Sequence, residues 1–222
     1  MDLYSNASSS RRPQLVLVLV QLLFISVPIY LLVRMHIDLS TVSTREIALL
    51  VLVTMNIITF VRFMFTLFVF IQREIPAEEI IAVSCAFVLY YVGYFLLAAR
   101  GSFSSVILVI VGGLLFLTGS LLNSISEFQR KKWKEVPENR GKVFTGQLFG
   151  ISRHPNYFGD LLWVLGYAVV SGNAWSLIIP LLLFGFFVFY NIPLQEKHMV
   201  EKYGVEFESY SKNVKSFIPY VL

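Results

Sequence analysis

The sequence predicts an all-α membrane protein, a polytopic bundle of about six transmembrane helices with both termini in the cytoplasm. Of its 222 residues, 56% are hydrophobic and only 14% are charged, and the mean hydropathy is +0.70. A soluble domain carries about a quarter charged residues. The apolar runs are continuous rather than alternating, and a backbone in lipid must satisfy its own hydrogen bonds, so helices are favoured over strands.

Six apolar runs are the candidate membrane helices. A helix needs about 20 residues to cross the hydrocarbon core; the first four runs qualify, and the last two are expected to form short helices. Gly172-Asn173 separates the last two runs, which are therefore predicted to form a tight helical hairpin. In chain order, the runs cover residues 14–33, 47–71, 79–99, 103–123, 157–172 and 174–193.

The distribution of basic residues predicts the orientation in the membrane, because cytoplasmic loops carry an excess of Lys and Arg. Six spans place both ends of the chain on one side, and most basic residues fall on that side: Arg11, Arg12, Arg73, those within 130–153, Lys197, Lys202, Lys212 and Lys215. Three fall on the other side: Arg34, Arg45 and Arg100. No basic stripe is interleaved with aromatic residues, so a nucleic-acid partner is not expected.

The stretch "SEFQRKKWKEVPENRGK" contains a pair of cations at helical spacing. Arg130 and Lys134 lie four residues apart and share one helix face, Glu127 can orient Arg130, and Val136-Pro137 ends the helix. One interpretation is a solvated basic face that touches anionic lipid headgroups. The other is a site for the phosphates of an anionic cofactor at the membrane rim.

The stretch "SRHPNYFGD" (152–160) begins the fifth apolar run. Pro155 suits the first position of a helix, and Asn156 and Asp160 then share a face. Asp160 lies where lipid should begin, and a carboxylate there is costly unless it faces a cavity or a partner, which marks it as a functional candidate. The alternative is that Asp160 only pairs with Arg153 and favours the helix N-terminus.

Other common motifs are absent. The sequence contains no phosphate-binding loop, no dinucleotide-binding glycine fingerprint after a strand, no zinc-protease helix and no nucleophile elbow. With three histidines and one cysteine, a metal site is not expected. Arg62 lies near the middle of the second run, where it is either a structural partner for another span or a group that polarises a substrate.

The polar stretches together resemble a known superfamily. "SRHPNYFGD", the later "EKYG", a spaced tyrosine and the terminal "FIP" look like the C-terminal domain of the steroid 5-alpha-reductases and sterol reductases, in particular small members of the DUF1295 type. This superfamily shares its membrane fold with isoprenylcysteine carboxyl methyltransferases. The resemblance covers about residues 120–222. It implies an NADPH pocket that opens to the cytoplasm.

The resemblance also implies roles for individual residues. Two spaced cations would contact the cofactor phosphates, the Asn-Tyr pair would line the cofactor, and the Lys-Tyr pair and the later tyrosine would lie near the nucleotide. Sterol reductases carry an acidic residue where this chain has Gln195, and here the carboxylate is at the next position. The implied cofactor-binding residues are Arg130, Lys134, Arg153, His154, Asn156, Tyr157, Gln195, Glu196, Lys202, Tyr203 and Tyr210.

The chemistry implied is hydride transfer from NADPH to an activated C=C bond in a lipid-soluble, sterol-like or steroid-like substrate. A positioned acid must supply the proton, and Asp160, Tyr157 and His154 are the catalytic candidates. One alternative is a non-catalytic membrane protein that kept the fold, although its intact polar motifs serve no packing need. The other is an S-adenosylmethionine-dependent methyltransferase. Those enzymes typically carry an arginine followed by a Glu-Glu pair at the start of the tail, whereas this chain has Glu196 alone.

The chain is predicted to form one membrane domain, 1–222. Residues 1–123 would form a four-helix region on the substrate side, and residues 124–222 would form the cytoplasmic loop, hairpin and tail that bind the cofactor. The resemblance further implies an integral membrane protein, of the endoplasmic reticulum if the source is eukaryotic, with its partners limited to membrane lipids and a lipid-soluble substrate.

Overall fold

The computed structural model describes residues 11–37, 40–71, 73–101 and 105–222, and these ranges contain helices and no strand. The predicted all-α class is therefore confirmed. The predicted cytoplasmic position of the N-terminus concerns residues 1–10, which lie outside the described residues. The α-helices are α1 (Arg12–Arg34), α2 (Thr44–Phe65), α3 (Ala77–Val88), α4 (Tyr94–Ala99), α5 (Val106–Glu135), α6 (Pro155–Ser171), α7 (Ile178–Phe186), α8 (Ile192–Tyr203) and α9 (Val205–Asn213).

Several of these helices run on through π-helical turns, so the membrane spans are fewer than the α-helices. Five continuous helices in the described ranges are long and apolar enough to cross a membrane: Arg12–Arg34, Thr44–Phe70, Ala77–Ala99, Val106–Glu135 and Ala174–Tyr203. Helix α6 has 17 residues, slightly fewer than a full crossing needs. The predicted count of about six helices agrees with these five and the shorter α6.

Local sequence signals set several helix ends. Ser43 and Glu46 form a capping box at the start of α2, each satisfying a backbone N–H of the first turn. Helix α5 stops at Glu135 because Val136, which precedes a proline, is extended. Helix α6 begins at Pro155, as predicted. Gly172 has a positive φ of 60° and makes the predicted turn between α6 and the helix that follows.

The chain divides into two compact units. The first unit comprises Met1–Leu114, in its described part, and Gly166–Leu177; the second comprises Leu115–Leu165 and Ile178–Leu222. The predicted division at residues 123 and 124 concerns binding roles and stays a prediction.

The first unit contains a buried polar cluster among its apolar helices. Tyr91 Oη donates to Gln21 Oε1 over 3.0 Å, and Asn56 Nδ2 donates to the carbonyl of Tyr91 over 3.3 Å. The hydroxyls of Thr59 and Tyr167 lie 3.1 Å apart. All five side chains are buried. Such hydrogen bonds let polar groups persist in a membrane helix bundle.

The second unit is held together by a very close approach of α5 and α6. A Cβ atom added at Gly119 would lie 2.4 Å from Trp163 N, and one added at Gly159 would lie 2.6 Å from Asn123 N. Only glycine fits at these two positions, because a real Cβ never comes so near to backbone atoms. The resulting contact brings the polar residues in the C-terminal half of α5 directly against the first turns of α6.

Candidate active site

Two pairs of polar side chains face each other across the α5–α6 contact. Asn123 Nδ2 donates to Asp160 Oδ1 over 2.8 Å and to the carbonyl of Asn156 over 3.2 Å. One turn later in α5 and one turn earlier in α6, Asn156 Nδ2 donates to Glu127 Oε1 over 3.0 Å. The residues in each helix are four apart, so they form two rungs of a polar ladder. Asn156 and Asp160 share a face, as predicted.

Glu127 joins the ladder to the cationic end of α5. Its Oε1 accepts from Asn156, and its Oε2 accepts from Arg130 in an ion pair. The prediction that Glu127 orients Arg130 is confirmed. The Glu127 side chain is 16% exposed and that of Arg130 is 35% exposed, so the cation remains accessible to a ligand. Lys134 lies one turn further along α5 and is exposed.

Asp160 is held by neutral donors. Its Oδ1 accepts from Asn123 Nδ2 and from Trp163 Nε1, each over 2.8 Å. The alternative in which Asp160 serves as the partner of Arg153 does not describe the structure, because the Arg153 guanidinium is engaged elsewhere. Asp160 is half-buried at the point where α6 becomes apolar, a setting in which a carboxyl group can serve chemistry.

Tyr157 lies in a stack of three nearly parallel rings. The His154 ring is 5.3 Å from the Tyr157 ring at an interplanar angle of 5°, and the Phe187 ring is 4.7 Å away on the other side at 10°. The charges of Arg130 and Asp160 lie close enough to act on the Tyr157 hydroxyl. Stacking therefore fixes the plane of the phenol, and its hydroxyl end belongs to the same polar cluster as the ladder.

Arg153 and His154 share one carboxylate oxygen on α8. Glu196 Oε1 lies 2.8 Å from both Arg153 Nε and Arg153 Nη2, and 3.3 Å from His154 Nε2. The Arg153 and His154 side chains are 11% and 8% exposed. The sequence predicted all three as cofactor-binding residues, and the structure brings all three together.

The tail residues pack within the second unit. Tyr210 Oη donates to the carbonyl of Phe149, and burial raises the pKa of Tyr210 above its usual value. Tyr203 packs in the same apolar cluster as Tyr210. Lys202 Nζ lies 5.5 Å from the centre of the Tyr203 ring, and Gln195 is exposed. A groove of about 520 Å³ runs beside Tyr210 and is lined by Thr145, Val205, Glu206, Ser209 and Asn213.

Not every predicted residue belongs to this cluster. Arg62 lies in the first unit, where it acts electrostatically on the hydroxyls of Tyr91 and Tyr167. Among the described residues, no group of three or more His, Cys, Asp or Glu side chains is placed to hold a metal ion.

Sequence reasoning missed two partners of Asp160 and one partner of Tyr157. Asn123 could have been found, since an amide inside an apolar run needs a partner and stands four residues before Glu127. Trp163 and Phe187 carried no such signal, because aromatic residues in a membrane helix face lipid as often as a site.

Comparisons with known proteins show to what the chain is similar. The family model described as "Protein of unknown function (DUF1295)" matches residues 6–214. The chain is 31% identical over 111 residues to "3-oxo-5-alpha-steroid 4-dehydrogenase 2" of Sus scrofa, which is 50% of this chain and 42% of that protein.

Two further relatives have the names of methyltransferases. The chain is 41% identical over 62 residues to the "Probable O-methyltransferase ustE" of Ustilaginoidea virens, covering 28% of this chain and 22% of that protein. It is 35% identical over 80 residues to "Protein-S-isoprenylcysteine O-methyltransferase" of Schizosaccharomyces pombe, covering 36% and 34%. The matches thus span less than half the length of each relative.

Proposed function

The chain belongs to the DUF1295 family, and we propose that it is a membrane-embedded, NADPH-dependent reductase of a C=C bond in a lipid-soluble substrate. The observation that carries the proposal is the pairing of a cation with the polar ladder. Glu127 holds Arg130 beside Asn156, in the C-terminal part of α5 and within the same cluster as Tyr157 and Asp160.

This arrangement fits an anionic dinucleotide. Arg130 and Lys134 lie one helical turn apart, and a guanidinium and an ammonium at this spacing can bind phosphate groups. Asn156 and Tyr157 would line the cofactor, and Tyr203 and Tyr210 would support its nucleotide end. S-adenosylmethionine has a cationic sulfonium and one carboxylate, so it needs no such pair of cations.

Asp160 of the ladder, or the neighbouring Tyr157, would supply the proton that the reduction requires. The bound cofactor would supply hydride, and the substrate atom that gains charge must then receive a proton. Asp160 in its protonated form, or the Tyr157 hydroxyl, would donate it. Asn123 and Trp163 hold Asp160 in place through its Oδ1.

The substrate class follows from where Asp160 lies. The apolar part of α6 begins at this residue, so a substrate that reaches it is lipid-soluble. The relative from Sus scrofa, by its name, acts on a steroid, and a sterol-like or steroid-like lipid is proposed here. Of the two roles that the sequence left open for Arg62, structural partner or substrate-polarising group, neither is tested, and both stay predictions. We place the protein in the endoplasmic reticulum if the source is eukaryotic, with the cofactor taken from the cytoplasm.

A second candidate function is S-adenosylmethionine-dependent methyl transfer to a lipid-like substrate. One observation favours it: relatives named as methyltransferases match the chain. Against it stands the tail, where Glu196 is not part of a Glu-Glu pair.

Cofactor binding distinguishes the two functions. Purified protein in lipid nanodiscs is titrated with NADPH and with S-adenosylmethionine by calorimetry. We expect NADPH to bind, and replacement of Arg130 and Lys134 by Ala to weaken it by about 2–5 kcal/mol, the loss of two charge-assisted contacts. Lys132→Ala is the matched control, because Lys132 lies on the same helix, is 63% exposed and pairs with Glu135.

Binding of S-adenosylmethionine in place of NADPH would establish the second function. Equal NADPH affinity in the double variant and in Lys132→Ala would show that Arg130 and Lys134 are a lipid-facing patch and do not bind the cofactor.

A further inference from the structure

Four of the five N–H donors of the Arg153 guanidinium are engaged within the protein. Its Nε and Nη2 donate to Glu196 Oε1, and its Nη1 donates to the carbonyls of Ser211 and Val214. Its backbone N–H donates to the carbonyl of Lys215 over 2.9 Å. The guanidinium thus joins the start of α6 to α8 and to the chain that follows α9. A residue so engaged acts within the protein rather than on a ligand.

The residues on either side of Arg153 also form hydrogen bonds with the tail. Ser152 Oγ donates to the carbonyl of Phe217 over 2.8 Å, and the backbone N–H of His154 donates to that of Ser216 over 3.0 Å. Phe217 is fully buried and packs against Phe187. The segment 214–217 is therefore bonded to the residues that begin α6, and its Phe217 contacts Phe187 of the ring stack.

His154 transmits this arrangement to Tyr157. The imidazole has one face against the phenol ring, so the two rings are parallel and His154 Nε2 points along its own plane to Glu196 Oε1. A neutral imidazole that donates from Nε2 carries its proton there and leaves Nδ1 as an acceptor. The carboxylate therefore selects both the tautomer and the plane of the ring on which Tyr157 rests.

We propose that Glu196 is a positioning residue that, with Arg153, fixes the plane and tautomer of His154 and so holds Tyr157 in its working orientation. Glu196 does not contact the cofactor. The proposal rests on the proposed function where it concerns turnover, but the arrangement of Glu196, Arg153 and His154 can be tested without any cofactor.

The first test is spectroscopic. Protein labelled with ¹⁵N-histidine, in a His36→Gln, His198→Gln background, reports His154 alone by nuclear magnetic resonance. We expect a protected Nε2–H resonance in the parent protein and its loss in Glu196→Ala. Glu201→Ala is the matched control, because Glu201 is an exposed glutamate on the same helix. An Nε2–H resonance that is unchanged in Glu196→Ala would overturn the proposal, whatever the function of the protein.

The second test separates positioning from ligand contact. With tritium transfer from NADPH as the assay, Glu196→Ala should lower turnover by up to about 10²-fold, the cost of misplacing a reacting group, while the NADPH dissociation constant is unchanged. Weakened NADPH binding with normal turnover would instead make Glu196 a cofactor ligand and contradict the proposal. If Glu196→Ala fails to fold, Glu196→Gln keeps the shape, and faster exchange of the Nε2 proton in that variant is the expected result.

Discussion

At the scale of single residues, the proposed proton donor Asp160 has well-defined hydrogen-bond partners. Its Oδ1 is held by Asn123 and Trp163. We expect Asp160→Asn to lower turnover by about 10²-fold or more, because the amide keeps the shape but cannot give up a proton. Cofactor affinity should change little. Turnover is measured as label transfer from NADPH, and a normal rate would reduce Asp160 to a structural role in the α5–α6 contact.

The buried hydroxyl of Tyr210 should make the stability of the protein depend on pH in the alkaline range. Burial raises the pKa of Tyr210, so its neutral form stabilises the fold below about pH 10 and that contribution is lost as the pH rises further. Tyr210→Phe should cost about 1 kcal/mol at neutral pH, through loss of the hydrogen bond to Phe149. Melting temperatures of both proteins should converge above pH 10. A constant difference across this range would contradict the assignment.

The sequence marked candidate residues and the Glu127–Arg130 pair, but it did not give the partners of Asp160 or of Arg153. Asp160 stood out as a carboxylate at the lipid boundary, and Glu127 lay three residues from Arg130. The choice between Arg153 and α5 as the partner of Asp160 depended on helix packing. Likewise, Arg153 and Glu196 are 43 residues apart, and no local pattern announces a pair at that distance.

At the scale of helices, the contact between α5 and α6 positions the site. In Gly119→Ala the new methyl group would lie 2.4 Å from Trp163 N and 2.5 Å from Gly159 O, backbone atoms that cannot yield. We expect a loss of about 1–3 kcal/mol in stability, the usual cost of overpacking. The separated helices should also bind NADPH more weakly, because the Asn123–Asp160 and Glu127–Asn156 hydrogen bonds would stretch.

Gly113→Ala is the matched control for this change. Nothing lies within 4 Å of a Cβ atom at Gly113, on the same helix, so alanine should stabilise the protein by up to about 1 kcal/mol through helix propensity. Thermal unfolding in one detergent compares the two variants. Equal melting temperatures would show that the close approach of α5 and α6 is not needed for the fold.

The helices themselves were predictable because their signals are local. Apolar runs, the proline at 155 and the proline at 137 set the boundaries of α5 and α6. The π-helical turn Phe187–Asn191 within the last long helix was not predicted. A π turn shifts the register by one residue and leaves no mark in the hydrophobic pattern, yet it carries Phe187, which stacks on Tyr157.

At the scale of the whole molecule, hydropathy alone predicts a membrane helix bundle, and the described residues agree with that prediction. Composition cannot distinguish a reductase from a methyltransferase, since both kinds of relative match the chain. The distinction depends on a few side chains in the second unit, namely the cations on α5, the ladder between α5 and α6, and the tail.

Transfer of a radioactive label tests the central claim most directly. Protein in native lipid extract is incubated with NADPH tritiated at either face of C4, or with S-adenosylmethionine tritiated in its methyl group, and the lipids are extracted. We predict that tritium passes from NADPH into the lipid fraction, that Asp160→Asn lowers this transfer, and that the methyl label stays in the aqueous phase. Transfer of the methyl label, or of neither label, would contradict the account.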